Sequence, residues 1–506
     1  MEKISNARKW GTVAVGSLTA LVLSIDLTAL NLAIPNLIED LEPSATQILW
    51  ISDIYGFVLA GLLITMGCLG DRIGRKKLLL IGMFGFAAAS ALTAYAHSAE
   101  HLIAARALLG LAGATIMPST LSLTRNVFAD HKERTAAIGI TAGVGGLGVG
   151  LGPVLGGALL DHFWWGSVFL INLPVMAVIL VAGALLIPES RDPSPGRIDL
   201  LGVPLSIVGV MAVVYAIKES VNSGLSVQVG SAAVLGVIAL VLFGHRQTHI
   251  ESPLIDVRLF RNPAFAGSLG ANALAMFALV AQSLIFSQYF QLVLGWSPLK
   301  SGLAGLPGAF GAMLGGAALA PQLINILGRG RTIALGLAIS GCASSLYLLA
   351  GTTLDYRTML LAMVLSGTGV GMALTVTSDT IIATVPRDRA GGAAAISETA
   401  TELGGALGLA VLGTVLNAAY RASIDVPAGL SPHIAAGVED SLAGALVVNA
   451  PTEVIDLARE SFVQGMHFAV VGCILLFLVA AAGALVALRD VPKVIAAEPE
   501  SEPTPV

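Results

Sequence analysis

Asp26, Asp53, Arg106, Asp379, Glu398 and Glu402 all stand inside long apolar runs of the chain. An ionised side chain at the centre of a bilayer-crossing helix costs roughly 2.5–3.5 kcal/mol on insertion scales, so the few that occur invite a functional reading. Glu398 and Glu402 are four residues apart, which on a helix puts both carboxyl groups on one face. Two carboxyl groups that close, away from water, cannot both stay ionised cheaply. Such a pair can hold a proton and trade it for a cation. Asp26 is a single carboxylate about two-thirds of the way along the first apolar run. Asp53 lies one turn into the second, within Trp50-Ile-Ser-Asp53-Ile-Tyr55. Arg106 could bind Asp26 as a purely structural ion pair between helices. Asp379 falls near the end of its run, where a plain interfacial carboxylate is expected.

These groups need an apolar host, and the composition supplies one. The 506 residues are 55% hydrophobic and 12% charged, with a mean hydropathy of +0.84. Soluble proteins carry about 25% charged residues, so too few are present to build an aqueous surface. The chain reads as an integral membrane protein of the all-α class, in direct contact with the lipid bilayer. With 27 Lys and Arg against 32 Asp and Glu there is no basic excess, and no nucleic-acid partner is expected. Cys68, Cys342 and Cys473 all lie in apolar runs, so no disulfide framework is indicated.

Fourteen runs are long enough to span a bilayer: about 11–34, 49–69, 78–96, 102–124, 135–160, 167–187, 200–217, 229–245, 264–290, 301–325, 332–350, 358–381, 391–418 and 464–487. The first holds Asp26 and no small-residue cleavage site, so it reads as a span rather than a signal peptide. With the N-terminus placed in the cytoplasm, 21 Lys and Arg fall in cytoplasmic segments and 5 in external ones, leaving Arg106 within a span. That asymmetry supports the count and predicts two cytoplasmic ends. The expected division is a first bundle at 1–190, two inserted helices at 191–262, and a second bundle at 263–490. The second bundle would contain an acidic external loop at 419–461, read evenly as a small lid or a solvated connector. A Pro- and Glu-rich tail at 491–506 is expected to be disordered.

Several chemistries are excluded. No Gly-Lys pair occurs, so there is no Walker A loop, and neither HExxH nor GxSxG is present. The eight histidines lack zinc-ligand spacing. The match Gly143-Val-Gly145-Gly-Leu-Gly148 lies inside a span and reads as helix packing, not dinucleotide binding. No enzyme activity, cofactor or metal is expected.

Two motifs remain. Between spans 2 and 3 the chain reads Gly67-Cys-Leu-Gly-Asp71-Arg72-Ile-Gly74-Arg75-Lys76-Lys77, with a faint second copy, Gly328-Arg329-Gly330-Arg331, between spans 10 and 11. Glycines allow a tight turn there, and the cations can pair across an interface. The second copy lacks the aspartate, so a second gate would be weaker or built differently. Span 5 carries Gly148-Val-Gly150-Leu-Gly152-Pro153-Val-Leu-Gly156-Gly157, a proline-bearing seam suited to bending and close helix contact.

On these residues, together with Asp26-x-x-x-Leu30-x-x-Ala33-x-Pro35, Arg106-x-x-x-Gly110 and Glu398-Thr-Ala-Thr-Glu402-Leu-Gly404, the chain resembles the fourteen-span drug:proton antiporters of the major facilitator superfamily over essentially its whole length. The resemblance implies two six-helix bundles plus two extra helices. It also implies a monomer in the bacterial inner membrane that exports lipophilic cations such as quaternary ammonium compounds, dyes and fluoroquinolones, in exchange for protons. By that resemblance Asp26 and Glu402 would couple protons, and Asp53, Glu398 and Tyr55 would meet the drug. Gly67, Asp71, Arg72, Gly74, Arg75, Arg106, Gly148, Gly152, Pro153, Gly156 and Gly157 would form the gating framework. Phe286, Tyr289 and Phe290 are further candidates for the walls of the drug path.

Overall fold

The computed structural model describes residues 5–191, 199–222, 224, 226–250, 253–353, 356–386, 389–427 and 429–493. Lys3, Arg197 and Arg387 of the cation count, and most of the tail at 491–506, lie outside the described residues.

Fourteen helices among the described residues are long and apolar enough to cross a membrane. In chain order they are α1 (Asn6–Leu41), α2 (Ala45–Ile73), α3 (Arg75–Ala94), α4 (Ala99–Val127), α5 (His131–Leu160), α6 (Ser167–Leu186) and α7 (Gly202–Asn222). The second half continues with α8 (Val227–Gln247), α9 (Pro263–Val293), α10 (Pro298–Leu327), α11 (Arg329–Leu349), α12 (Tyr356–Ala383), α13 (Ala390–Ser423) and α14 (Thr452–Ala487).

Local chemistry sets most of these ends. Ser44 and Gln47 form a capping box that starts α2, and Asp130 accepts from Lys132 N and Glu133 N to start α5. Those bonds hold the Asp130 carboxyl below its usual range. Asn262-Pro263 and Ser297-Pro298 pair a capping side chain with proline in the first turn of α9 and α10. Helices α10 and α9 each contain a π-helical stretch, at Leu314–Leu319 and Tyr289–Val293.

Helices α1–α6 pack into one bundle and α9–α14 into another. Between them, α7 packs on α2 and α13, whereas α8 packs chiefly on α7. The far side of α8 therefore exposes Val234, Val237, Ile238 and Val241, as a lipid-facing helix must. Asp199 ties this hairpin together, accepting from Gly202 N, Arg246 and Gln247. Burial opposes its ionisation, but those bonds outweigh burial and keep its carboxyl below the usual range.

The start of α1 meets the start of α5 through Lys9–Glu133 (3.3 Å). His131 lies 3.0 Å from Asn325 near the end of α10, and Lys493 donates to the Asn325 carbonyl at 2.9 Å. Both ends of the described chain thus lie on one face, the terminal face.

At the opposite face the structure decides between the two readings of the external loop. Helices α13 and α14 extend into the expected loop, and the rest of it forms two short helices, Pro432–Asp440 and Leu442–Val447. Val438, Leu442 and Ala445 are buried against Tyr420 and Phe462, and the Tyr420 hydroxyl donates to the Val438 carbonyl at 2.7 Å. The segment is a packed helical cap, not a solvated connector. Its acidic side chains face outward and mask the apolar residues that hold it down.

Candidate functional site

Helix α13 brings the paired glutamates to the centre of the molecule. Glu402 lies twelve residues past Ala390, about 18 Å along a helix rising 1.5 Å per residue. Any side chain on Gly404 or Gly408 would strike the backbone of α9 at Ala273 or Phe277, so that face of α13 is pressed against its own bundle. Glu402 precedes Gly404 by two residues, roughly 200° around the helix, and therefore looks the other way, toward α2, α4 and α7. Glu398 shares that face one turn nearer the terminal end. Both are half-buried, and among the described residues neither makes a hydrogen bond or an ion pair.

Across from them, Asp26 of α1 is sealed in a polar cluster. Arg106 of α4 donates to Asp26 Oδ2 at 3.2 Å, and Asn172 of α6 donates to Oδ1 at 2.8 Å. Arg106 also donates to the Ile51 carbonyl and stands 5.2 Å from the centre of the Tyr55 ring. The ion pair anticipated as a structural alternative is therefore present. Tyr55 is buried beside this cluster, on a helix that packs against α13. Gly110 lets α4 approach this closely, because a side chain there would meet the Tyr55 carbonyl.

Asp53 is not alone either. Its partner is Lys218 of α7, whose ammonium pairs with Asp53 Oδ1. The sequence reading placed Lys218 in a connecting segment, because it directly follows an apolar run. Sequence reasoning had no signal for this partnership, since the two residues are 165 positions apart. The lysine's helix, α7, also packs on α13, which carries Glu402. Asp26, Arg106 and Tyr55 thus form one connected group and Asp53 with Lys218 a second, on helices of which α2, α4 and α7 pack against α13 and its glutamates.

A second polar group closes the terminal face. The Asp71 carboxylate accepts from Gly391 N at 3.0 Å and Gly392 N at 3.1 Å, so a residue of α2 caps the exposed N–H groups of α13. Arg75 braces Asp71 through its Nε at 2.8 Å and is itself held by Ser190. Gly74 takes φ +111°, a conformation that favours glycine, and the Glu189 carboxylate beside it caps α3 through Lys76 N and Lys77 N. Arg72 is only half-buried and has no hydrogen bond or ion pair among the described residues. Arg125 of α4 donates to the Ile382 carbonyl at the end of α12.

Asp379 corrects an expectation. It is fully buried, not interfacial, and lies between Arg134 of α5 and Arg329 of α11, with Arg329 Nη1 at 2.8 Å. Arg329 belongs to the faint second motif copy. The aspartate missing from that copy is supplied by α12.

Comparison with known proteins gives these contacts a lineage. The sequence profile of the Major Facilitator Superfamily matches residues 16–409. The chain belongs to the major facilitator superfamily. It is 43% identical over 488 residues to the multidrug efflux pump LfrA of Mycolicibacterium smegmatis, covering 95% of this chain and 97% of that one. It is 36% identical to the methyl viologen resistance protein SmvA of Salmonella typhimurium, over 90% of this chain and 93% of that one. The tetracenomycin C resistance and export protein of Streptomyces glaucescens is 31% identical, over 98% and 95%. Among solved structures, the human organic anion transporter MFSD10 superposes with a TM-score of 0.63 at 14% identity, covering 94% of this chain and 99% of that one, which shows the shared fold. The chain is accordingly a multi-pass membrane transporter, not an enzyme.

Within this superfamily frame, the span 5 motif is a two-sided seam. Gly148, Gly152 and Gly156 face α1 at Leu21, Thr28 and Leu32, while Gly150 and Pro153 meet α10 at Leu306 and Gly302. Gly157 faces open space. Phe286, Tyr289 and Phe290 are buried in the core of the second bundle with Tyr347 and Trp296. At the terminal face α2 and α13 approach closely at Gly67, where an added Cβ would lie 2.5 Å from the Gly391 carbonyl and 2.6 Å from Ala395 Cβ. Gly67→Leu is therefore expected to wedge α2 off α13. Overpacking costs typically ~1–3 kcal/mol, enough to depopulate the closed arrangement by about fivefold or more. Vesicle transport should fall correspondingly at unchanged membrane abundance; undiminished transport would show that closure at Gly67 is not required.

Proposed function

We propose that the protein exports lipophilic, mainly cationic drugs across the bacterial inner membrane in exchange for protons, by alternating access, with both termini in the cytoplasm. Quaternary ammonium compounds, dyes and fluoroquinolones are the proposed cargo. The observation that carries this reading is the pair of half-buried carboxyl groups, Glu398 and Glu402, facing the other bundle with no hydrogen-bonding or ionic partner among the described residues. A cation entering from the cytoplasm or the inner leaflet finds charge there already desolvated. Protons arriving from outside neutralise the carboxylates and release it. In this scheme Asp26 and Glu402 couple protons, while Asp53, Glu398 and Tyr55 contact the drug. The bundles at 1–190 and 263–490 rock as units around the inserted pair at 191–262, in a monomer. The terminal-face contacts of Asp71, Arg125 and Arg134 support a state closed to the cytoplasm.

A second reading, a pump dedicated to one antibiotic or metabolite, is favoured by relatives named for tetracenomycin C and puromycin resistance. Ethidium efflux from intact cells, or the matching uptake into inside-out vesicles, separates these readings. Efflux of ethidium and a quaternary ammonium dye that stops on addition of an uncoupler is the expected result. Efflux that continues without a proton gradient would reject exchange. Failure to move either dye, with one natural product transported, would establish the dedicated pump. Asp26→Asn is expected to leave binding in place while suppressing uphill efflux, since its carboxylate sits behind Arg106 rather than in the open path.

A further inference from the structure

We propose that Lys218 is a tethered stand-in for the cargo: its ammonium occupies a cation site between α2, α7 and α13 that a lipophilic cation takes by displacing it. This rests on the cation-export reading above and names one site within it. The ammonium pairs with the Asp53 carboxylate and stands 5.1 Å from the centre of the Phe57 ring. Phe57 belongs to an aromatic cluster in which Trp50 and Tyr215 stack at 6.4 Å, with Phe57 edge-on to both. Gly56 contributes no side chain here; the nearest atom to its missing Cβ is the lysine Nζ, at 3.6 Å. A carboxylate, an aromatic wall and open space at a glycine together make a receptor for an organic cation.

Exposure distinguishes this pair from the other one in the site. Arg106 and Asp26 are sealed, at 1% and 0% side-chain exposure, whereas Lys218 and Asp53 retain 27% and 24%. The first is closed to a cargo-sized cation; the second is open enough to exchange partners with one. Lysine suits that task, because its compact charge rides on a flexible four-carbon stem that can swing aside. The lysine would then set a threshold: a cargo must bring its own positive charge to replace the one it removes. Neutral molecules would leave Asp53 unpaired.

The test is equilibrium binding of radiolabelled tetraphenylphosphonium to the purified full-length protein. Lys218→Gln and Lys218→Met are expected to bind it about tenfold more tightly than wild type, and Lys218→Arg about as wild type does. The gain should vanish in the Asp53→Asn/Lys218→Gln double variant, because the vacated carboxylate is what the cation gains. Gln and Met variants that bind no more tightly than a binding-competent wild type overturn the inference. So does a gain that survives in the double variant, which would assign it to the general field of a missing charge. If Lys218→Met fails to fold, the comparison of Gln with Arg decides alone. Absence of binding by every variant, wild type included, in protein with normal thermal unfolding rejects the cation-export reading itself and this inference with it.

Discussion

Glu402→Gln is expected to reduce cation export by about 100-fold while leaving the folded protein in the membrane. The substitution keeps the size and shape of the side chain and removes only its ability to ionise. A cation near the middle of the bilayer that is left uncompensated costs on the order of 2.5–3.5 kcal/mol, which converts to that factor in occupancy. Because Glu402 makes no hydrogen bond or ion pair among the described residues, its loss orphans nothing and stability should be unchanged. Glu398→Gln should weaken cation binding with a smaller effect on coupling. Ethidium transport in vesicles and the unfolding temperature of the purified variant, measured together, check the pair of expectations. Transport at the wild-type rate in Glu402→Gln would remove the residue from the mechanism.

Asp379→Ala should do the opposite, damaging stability first. Asp379 is fully buried between two arginines that are themselves almost fully buried, one from each bundle. Removing one partner of a buried ion pair costs about 3–5 kcal/mol, chiefly because the remaining charge is left uncompensated. Here two guanidinium groups are left, although Arg329 keeps the Thr380 hydroxyl at 2.8 Å. A lower unfolding temperature in detergent is the expected readout. Replacing Arg134 and Arg329 by Met in the same chain should recover much of the loss, since burying no charge is cheaper than burying unpaired ones. An unchanged unfolding temperature in Asp379→Ala would mean that water reaches these arginines.

The contrast between these two acidic residues shows how far the linear chain can be read. Both sit in apolar runs, and hydropathy alone treats them alike. Glu398 and Glu402 could be placed correctly because a helix repeats every 3.6 residues, so a separation of four settles which face they share. Their lack of partners could be suspected from the scarcity of cations within the spans. Asp379 could not be placed, because its partners come from residues 245 and 50 positions earlier on other helices. The same holds for Asp53 with Lys218 and for Asp71 with the start of α13, 320 residues away. Lid and connector stayed equally open for the external segment for a related reason: a short helix anchored by three buried apolar residues does not stand out in an acidic segment.

What the amino-acid sequence determined by itself was therefore the count of spans, their alternating direction and the positions of the intramembrane charges. Burial in lipid obliges each segment to satisfy its own backbone hydrogen bonds, so a span is decided by twenty or so neighbouring residues and can be read locally. Only the tertiary structure decided which charges are neutralised and which stand open. Counter-ions are chosen by proximity across helices, and proximity there depends on how all fourteen pack. That choice divides Asp26 and Asp379, held by arginine, from Glu398 and Glu402, which among the described residues make no hydrogen bond or ion pair.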